Sequence, residues 1–299
     1  PLQSDPYDRP GLHGLQHDEP LLAGTRWCPA IDCIGDCPEG WSGKIRADCY
    51  EASVEGPGQL DGGCLEVTGS GELLWRFDPI PCEHPGLFFP QQVSLRGVGV
   101  AEVRGKLVSY LDTMAKDYLF AGTGEFAADL TPPVDAALLK LAADQPVHVA
   151  VNLWAGDRRV AWSGDGAALE VEVIRGPAPT ATLGQRATAL VQVPAGSEAA
   201  LWLVLGPTRV ALGHVRGVPP GALEQLELVV GYADHPEGAG SRVPLAARAV
   251  ARDAEGDLVY GAPAEWSVLA GSFAFSPAFF FHEGANNDYV LLFDSAAST

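Results

Sequence analysis

Val147-His-Val-Ala-Val-Asn-Leu-Trp154, Ala155-Gly-Asp-Arg158 and Val160-Ala-Trp162-Ser163 follow closely on one another, and their reading decides the fold class. Two short strand-forming runs flank a Gly-Asp turn, with Trp154 and Trp162 on either side of it, which is a hairpin signal. A few residues on, Leu169-Glu-Val-Glu-Val-Ile174 alternates with a period of two, one face apolar and the other charged. Both patterns belong to antiparallel sheet.

The same texture extends outward. Val93–Val100, Ala101–Tyr110 and Asp117–Ala121 read as strands on the N-terminal side. One helix is expected between them and the hairpin. Thr131 would cap it and Pro132 start it, with Val134, Ala137, Leu138 and Leu141 forming its apolar stripe. Arg175-Gly-Pro-Ala-Pro-Thr180 reads as a linker. Beyond it, Ala187–Val193, Ala199–Leu205, Thr208–Val215, Gln225–Tyr232, Val243–Arg252, Glu265–Leu269, Ser272–Phe275 and Asp288–Phe293 are eight short strand candidates. Their spacing of about 8–12 residues is that of an antiparallel sandwich or barrel. Parallel α/β folds are excluded because the crossover helices are missing.

Within that second half, Ala247-Arg-Ala-Val-Ala-Arg-Asp253-Ala-Glu-Gly256-Asp-Leu-Val-Tyr-Gly261-Ala-Pro-Ala-Glu-Trp266-Ser-Val resembles bacterial immunoglobulin-like domains. It shows a strand, an Asp-x-x-Gly turn, a short strand, and then a Trp followed by a glycine turn at Gly271. Leu183-Gly-Gln185 and the alternating Ala187–Val193 resemble the opening strand of that family, so the likeness spans residues 178–294. The resemblance implies an Ig-like sandwich used as a non-catalytic spacer or binding unit, with no catalytic residues to carry over.

The N-terminal part has a different composition. Six cysteines, Cys28, Cys33, Cys37, Cys49, Cys64 and Cys82, fall within 55 residues, and none follows. An even, dense set reads as a disulfide framework and hence an oxidising compartment. A thiol–metal site is the competing reading. It is disfavoured because no Cys-x2-Cys occurs and the only nearby histidine is His84. The pairing stays open among 15 connectivities. The segment 27–85 shows only short apolar runs, with Leu73–Phe77 its clearest strand, so the cysteines are expected to hold together what lacks a core. Residues 1–26 read as an extended arm, and His13 and His17 within it as surface residues rather than ligands. The expected organisation is therefore mainly β: an arm (1–26), a disulfide-rich acidic segment (27–85), a sandwich (86–175) and an Ig-like sandwich (178–299).

The formal charge is −19. Residues 1–84 carry 15 acidic and 5 basic residues, a net −10 concentrated in under a third of the chain. Such a field repels nucleic acid and anionic membrane surfaces. The most apolar run, Phe273–Phe281, is interrupted by Ser276 and Pro277 and is too short to span a bilayer. The chain opens PLQSDPYDRPGLHG without Met, as expected of an exported protein whose leader is removed, and a lipid anchor upstream is its one route to a membrane.

Motifs for catalysis are absent: no G-x-S-x-G, H-E-x-x-H, P-loop or dinucleotide fingerprint occurs. His148, His214, His235 and His282 stand singly and read as structural or surface residues. Asp253-Ala-Glu255-Gly-Asp257 approaches a calcium loop but misplaces its glycine and lacks the distal Glu, so a turn is expected. No cofactor and no metal is expected. The sequence therefore points to an exported, non-catalytic structural or binding protein of the cell surface or periplasm, with a protein or glycan partner. Two rivals stand beside it: an extracellular polymer hydrolase whose carboxylates converge from distant strands, and a periplasmic metal-binding protein.

Overall fold

The computed structural model describes residues 19–27, 50–61, 64–80, 91–109, 138–162, 166–184, 188–232, 245–265, 267, 273–276 and 289–294. Among them every regular element longer than a 3-10 turn is a strand. The described residues between 19 and 98 form a head with its own core. It contains β1 (Leu21–Leu22), β2 (Arg26–Trp27), β3 (Tyr50–Glu55), β4 (Gly58–Asp61), β5 (Cys64–Val67), β6 (Gly71–Pro79) and β7 (Gln91–Val98). A four-stranded sheet in the order β1-β7-β6-β3 lies against a three-stranded one in the order β2-β5-β4.

The space between them is filled by Leu21, Trp27, Leu65, Val67, Leu73, Trp75 and Phe77. Trp75 and Phe77 project to one side of β6, two residues apart, with ring centroids at 4.8 Å. This overturns two expectations. The head does have a core, because three aromatic side chains fill it with few residues. Residues 21–22 are not surface coil, since both leucines are fully buried. Cys64 opens β5, buried and disulfide-bonded, while Cys28, Cys33, Cys37, Cys49 and Cys82 lie outside the described residues.

The body is a sandwich of two larger sheets. One holds β8 (Arg104–Ser109), β10 (Pro146–Ala155), β11 (Arg158–Val160), β13 (Thr180–Leu183) and β14 (Thr188–Gln192). The other runs β12 (Ala167–Arg175), β15 (Glu198–Leu205), β16 (Thr208–Val218), β9 (Leu138–Ala142), β19 (Leu258–Tyr260), β18 (Leu245–Asp253), β21 (Tyr289–Asp294) and β20 (Phe273–Ser276), with β17 (Leu223–Tyr232) also paired to β18. Alternate residues meet between the sheets: Val147, Val149, Val151 and Leu153 from β10 share one core with Leu139, Leu141, Leu201, Leu203 and Val215. Each such side chain contributes about 1.5–3 kcal/mol by leaving water.

The hairpin read from the sequence forms as expected. Leu153 pairs with Val160 and Ala155 with Arg158 across a Gly156-Asp157 turn in which Gly156 adopts φ 62°. Trp162 Nε1 donates to the Val151 carbonyl at 3.0 Å. The Asp253–Gly256 turn also closes, with Gly256 N donating to the Asp253 carbonyl at 2.9 Å. Asp117–Ala121, Trp266 and Gly271 fall outside the described residues.

The helix expected from Thr131 through Leu141 is corrected where the structure describes it. Leu138–Ala142 is strand β9, parallel to both β16 and β19. The two periodicities conflict at this point. Leu139 and Leu141 alternate into the core while Leu138 is 39% exposed, so the period of two prevails over the 3.6-residue stripe. The stretch Arg175–Thr180 leads from β12 in one sheet to β13 in the other, and strands from both sides of it pair, as β10 does with β14. Gly176 turns there at φ 74° directly against Ser197, where a side chain would collide.

Two adjacent leucines tie head to body. Leu21 belongs to the head core and Leu22 to the body core. Leu22 N donates to the Ala161 carbonyl at 2.9 Å, Ala161 N to the Pro20 carbonyl at 2.8 Å, and Ala23 N to the Val98 carbonyl at 2.8 Å. Glu19 pairs with Arg159 at 3.1 Å beside them.

Candidate functional site

The outward side of the larger body sheet gathers most of the organised polar chemistry of the described residues. Leu201 and Leu203 of β15 point into the core, so Trp202 between them points out and stays partly exposed. On the neighbouring strand β12, Glu170 and Glu172 alternate outward, with Glu170 directly opposite Trp202. Glu172 accepts a hydrogen bond from Trp202 Nε1 at 3.0 Å. From β16, Arg209 stands 4.5 Å over the Trp202 ring and pairs with Glu170 at 2.9 Å. The indole therefore has a cation over its ring and a carboxylate on its N–H.

Further along the same face Glu198 accepts from Arg216 Nε at 2.9 Å and lies 3.4 Å from Arg175. Arg216 opposes Lys140 of β9 across the parallel pair. His214 also lies on this face, opposite Ala200 and Leu138.

Lys140 is the most constrained charge of the set. Its side chain is 5% exposed, and Nζ contacts Asp253 at 2.6 Å, Asp257 at 2.7 Å and Glu255. The Asp253–Asp257 turn folds over it because Asp253 Oδ1 accepts from the backbone N–H groups of Glu255 and Asp257, both at 3.1 Å. Burial works against the ammonium, but the hydrogen bonds it donates to Asp253, Asp257 and Glu255 outweigh it and hold Lys140 above the ordinary lysine range. Burial likewise pushes Asp253 up, yet Lys140 and the two backbone donors prevail and hold it below the usual carboxylate range. The three carboxylates that resemble a calcium loop, with oxygens within 4.8 Å of one another, thus converge on an ammonium of the same chain. The expected turn forms, and the lysine accounts for the crowding of the acids.

Lys140 was missed from the sequence, although a signal was there. A single charge inside Leu138-Leu-Lys-Leu141 cannot be buried alone, so an acidic partner must lie opposite. That the partner sits in 253–257 is set by tertiary pairing only.

The second feature is a cleft of ≈ 290 Å³ where the head meets the body, lined by Pro20, Arg96, Val98, Glu102, Gly156 and Arg158 among others. Ser70 donates to Glu102, as does Gly99 N at 3.2 Å, and these two bonds hold the Glu102 carboxyl below its usual range. Of the six cysteines predicted as site residues only Cys64 falls in the described structure, in the head and not among the residues that line the cleft. His148 lies in β10, opposite Leu190 of β14.

No helix among the described residues is long and apolar enough to cross a membrane. No protein-family model matches this chain, and no curated protein matches it.

Proposed function

We propose that this chain is an exported, non-catalytic structural or binding protein of the cell surface or periplasm, with an Ig-like C-terminal part and a head cross-linked through Cys28, Cys33, Cys37, Cys49, Cys64 and Cys82. Its partner is a protein or a glycan. One observation carries the reading: a partly exposed Trp202, framed by Arg209, Glu170 and Glu172, on the outward side of a broad sheet. Trp and Arg on a flat face framed by paired charges are the residue types that dominate recognition surfaces. The likeness of 247–268 to bacterial immunoglobulin-like domains agrees with it.

The test is native electrophoresis of the full chain through gels containing soluble polysaccharides, alongside binding to purified surface proteins, for wild type and Trp202→Ala. Retardation or binding that the Trp202→Ala variant loses supports the assignment. Release of reducing ends from any of the polysaccharides would replace it with the hydrolase reading, and stoichiometric zinc, copper or calcium in purified protein would replace it with the metal-binding one. Intact mass before and after reduction checks the framework, since three disulfides add about 6 Da on reduction.

A further inference from the structure

β17 sits at an edge of the body sheet and pairs, among the described residues, with β18 alone. The two neighbouring strands differ sharply in exposure. Ala249, Val250 and Ala251 of β18 are buried, although they alternate between the two faces of the sheet. Glu224, Gln225, Leu226, Glu227 and Leu228 of β17 are all exposed, Leu226 by 75% and Leu228 by 62%. Over Glu224–Leu228, the packing that covers Ala249–Ala251 on both faces stops one strand short of the edge.

An edge strand with both faces in water is a template for another strand. Natural sheets protect such edges with charged side chains, lysine above all, with proline or with a bulge. β17 contains neither lysine nor proline, its charged residues are Glu224 and Glu227, and its one register shift lies at its start, between Leu223 and Gln225. From Gln225 onward the pairing with β18 is regular.

We propose that the outer edge of β17 docks an extended segment of a partner protein in which basic and apolar residues alternate. Leu226 and Leu228 share one face, opposite Ala251 and Ala249, and call for apolar side chains two apart on the incoming strand. Glu227 occupies the opposite face, which Arg252 of β18 shares, and a lysine or arginine on the open side of Glu227 supplies the complementary charge. The net charge of −19 weighs against a second copy of this chain as the occupant. Main-chain pairing gives the affinity and the alternation gives the selectivity. This refines the binding reading above and rests on it for the existence of a protein partner; Trp202 lies on the same face of the sheet as Leu226 and Leu228, five strand pairings away.

The probe is an acetylated, amidated heptapeptide alternating valine and lysine, titrated into the full chain by calorimetry and by amide shifts. A peptide of the same length with glutamate in place of each lysine is the control. We expect the lysine peptide to bind, more weakly as salt rises from about 50 to about 300 mM, with shifts confined to β17 and β18. Glu227→Lys weakens it about tenfold, roughly 1.4 kcal/mol, and the Leu226→Gln, Leu228→Gln double variant abolishes it. Glu72→Lys, the same charge change at an exposed position in the head, leaves it unchanged. All these positions are solvent-exposed, so the variants fold.

The proposal fails if no binding is seen at about 1 mM peptide, the weak end of specific recognition. It fails equally if Glu72→Lys weakens binding as much as Glu227→Lys, because bulk charge is then the cause. A concentration-dependent dimer that Leu228→Lys dissolves would assign the edge to a second copy and overturn it as well. Loss of peptide binding with glycan binding intact refutes this inference and leaves the broader reading standing.

Discussion

The head and the body reach the same goal, a dry interior between two sheets, with different materials. Among the described residues, the head core is seven buried side chains, three of them aromatic, beside the disulfide-bonded Cys64. The body core, counted in the same way, is twenty-one buried residues, nearly all Val, Leu and Ala, with Trp162 the one aromatic among them. A few large rings close a small volume that scattered aliphatic residues could not. Many small side chains from alternating strands can spread any single loss over their neighbours. The head is therefore the more fragile unit per residue, and Leu21–Leu22 is the dipeptide through which each core senses the other.

Trp75→Ala should have the largest effect, about 3–5 kcal/mol from the cavity it leaves. Urea unfolding read by near-UV dichroism should show the head melting first while the body transition stays in place. An equal displacement of both would mean that the two cores are one cooperative unit, and the contrast would collapse.

Lys140→Met should cost the body about 3 kcal/mol, because it strands Asp253 as a buried, unpaired charge. Glu255 and Asp257 are mostly exposed and return to water. The linkage has a definite sign on each side. Asp253 has a depressed folded pKa, so its contribution is present above the ordinary Asp value of about 3.9 and is lost as pH falls through the folded value. Lys140 has a raised one, so its contribution is complete below about 10.4 and is lost as pH rises through the folded value. Acid and base titrations of stability, compared between wild type and Lys140→Met, should differ at both ends and run parallel between them.

Leu21→Ala and Leu22→Ala should each cost about 2 kcal/mol, the first in the head transition and the second in the body transition. A double-mutant cycle giving a coupling above about 0.5 kcal/mol would show that the strap transmits strain between the cores. Strict additivity would show that it only tethers them. The smallest effect is expected at Asp144, the one described non-glycine residue with positive φ, at 61°. Asp144→Val should lose about 1 kcal/mol, whereas Asp144→Asn should be silent in the same melts, since Asn tolerates this conformation.

Legibility followed the length scale of the forces involved. The hairpin around Gly156 and the turn at Asp253–Gly256 are local patterns that formed as read, and the alternation of Leu169–Ile174 holds through Glu172 but ends at Val173 and Ile174, both exposed where the register with β15 shifts. Leu138–Ala142 misled because Leu138 and Leu141 fit a helical stripe equally well. Only the parallel pairing with β16 and β19 selects the strand. The head seemed coreless because its burial rests on Trp27, Trp75 and Phe77, which density of apolar residues undercounts. Of the Trp202 cluster, the charged face of β12 was visible, but Arg209 and the indole reach it across two strand pairings.

What the sequence determined by itself is the antiparallel β class, the acidic balance and the turns, because backbone propensity and period-two alternation act between near neighbours. What the tertiary structure alone decided is which charges meet and which edges stay open. Lys140 lies 113 residues from Asp253. Leu226 and Leu228 look like any core strand until the packing that covers β18 ends before reaching them. Burial and pairing over such separations depend on where whole sheets stack, and no local pattern encodes that.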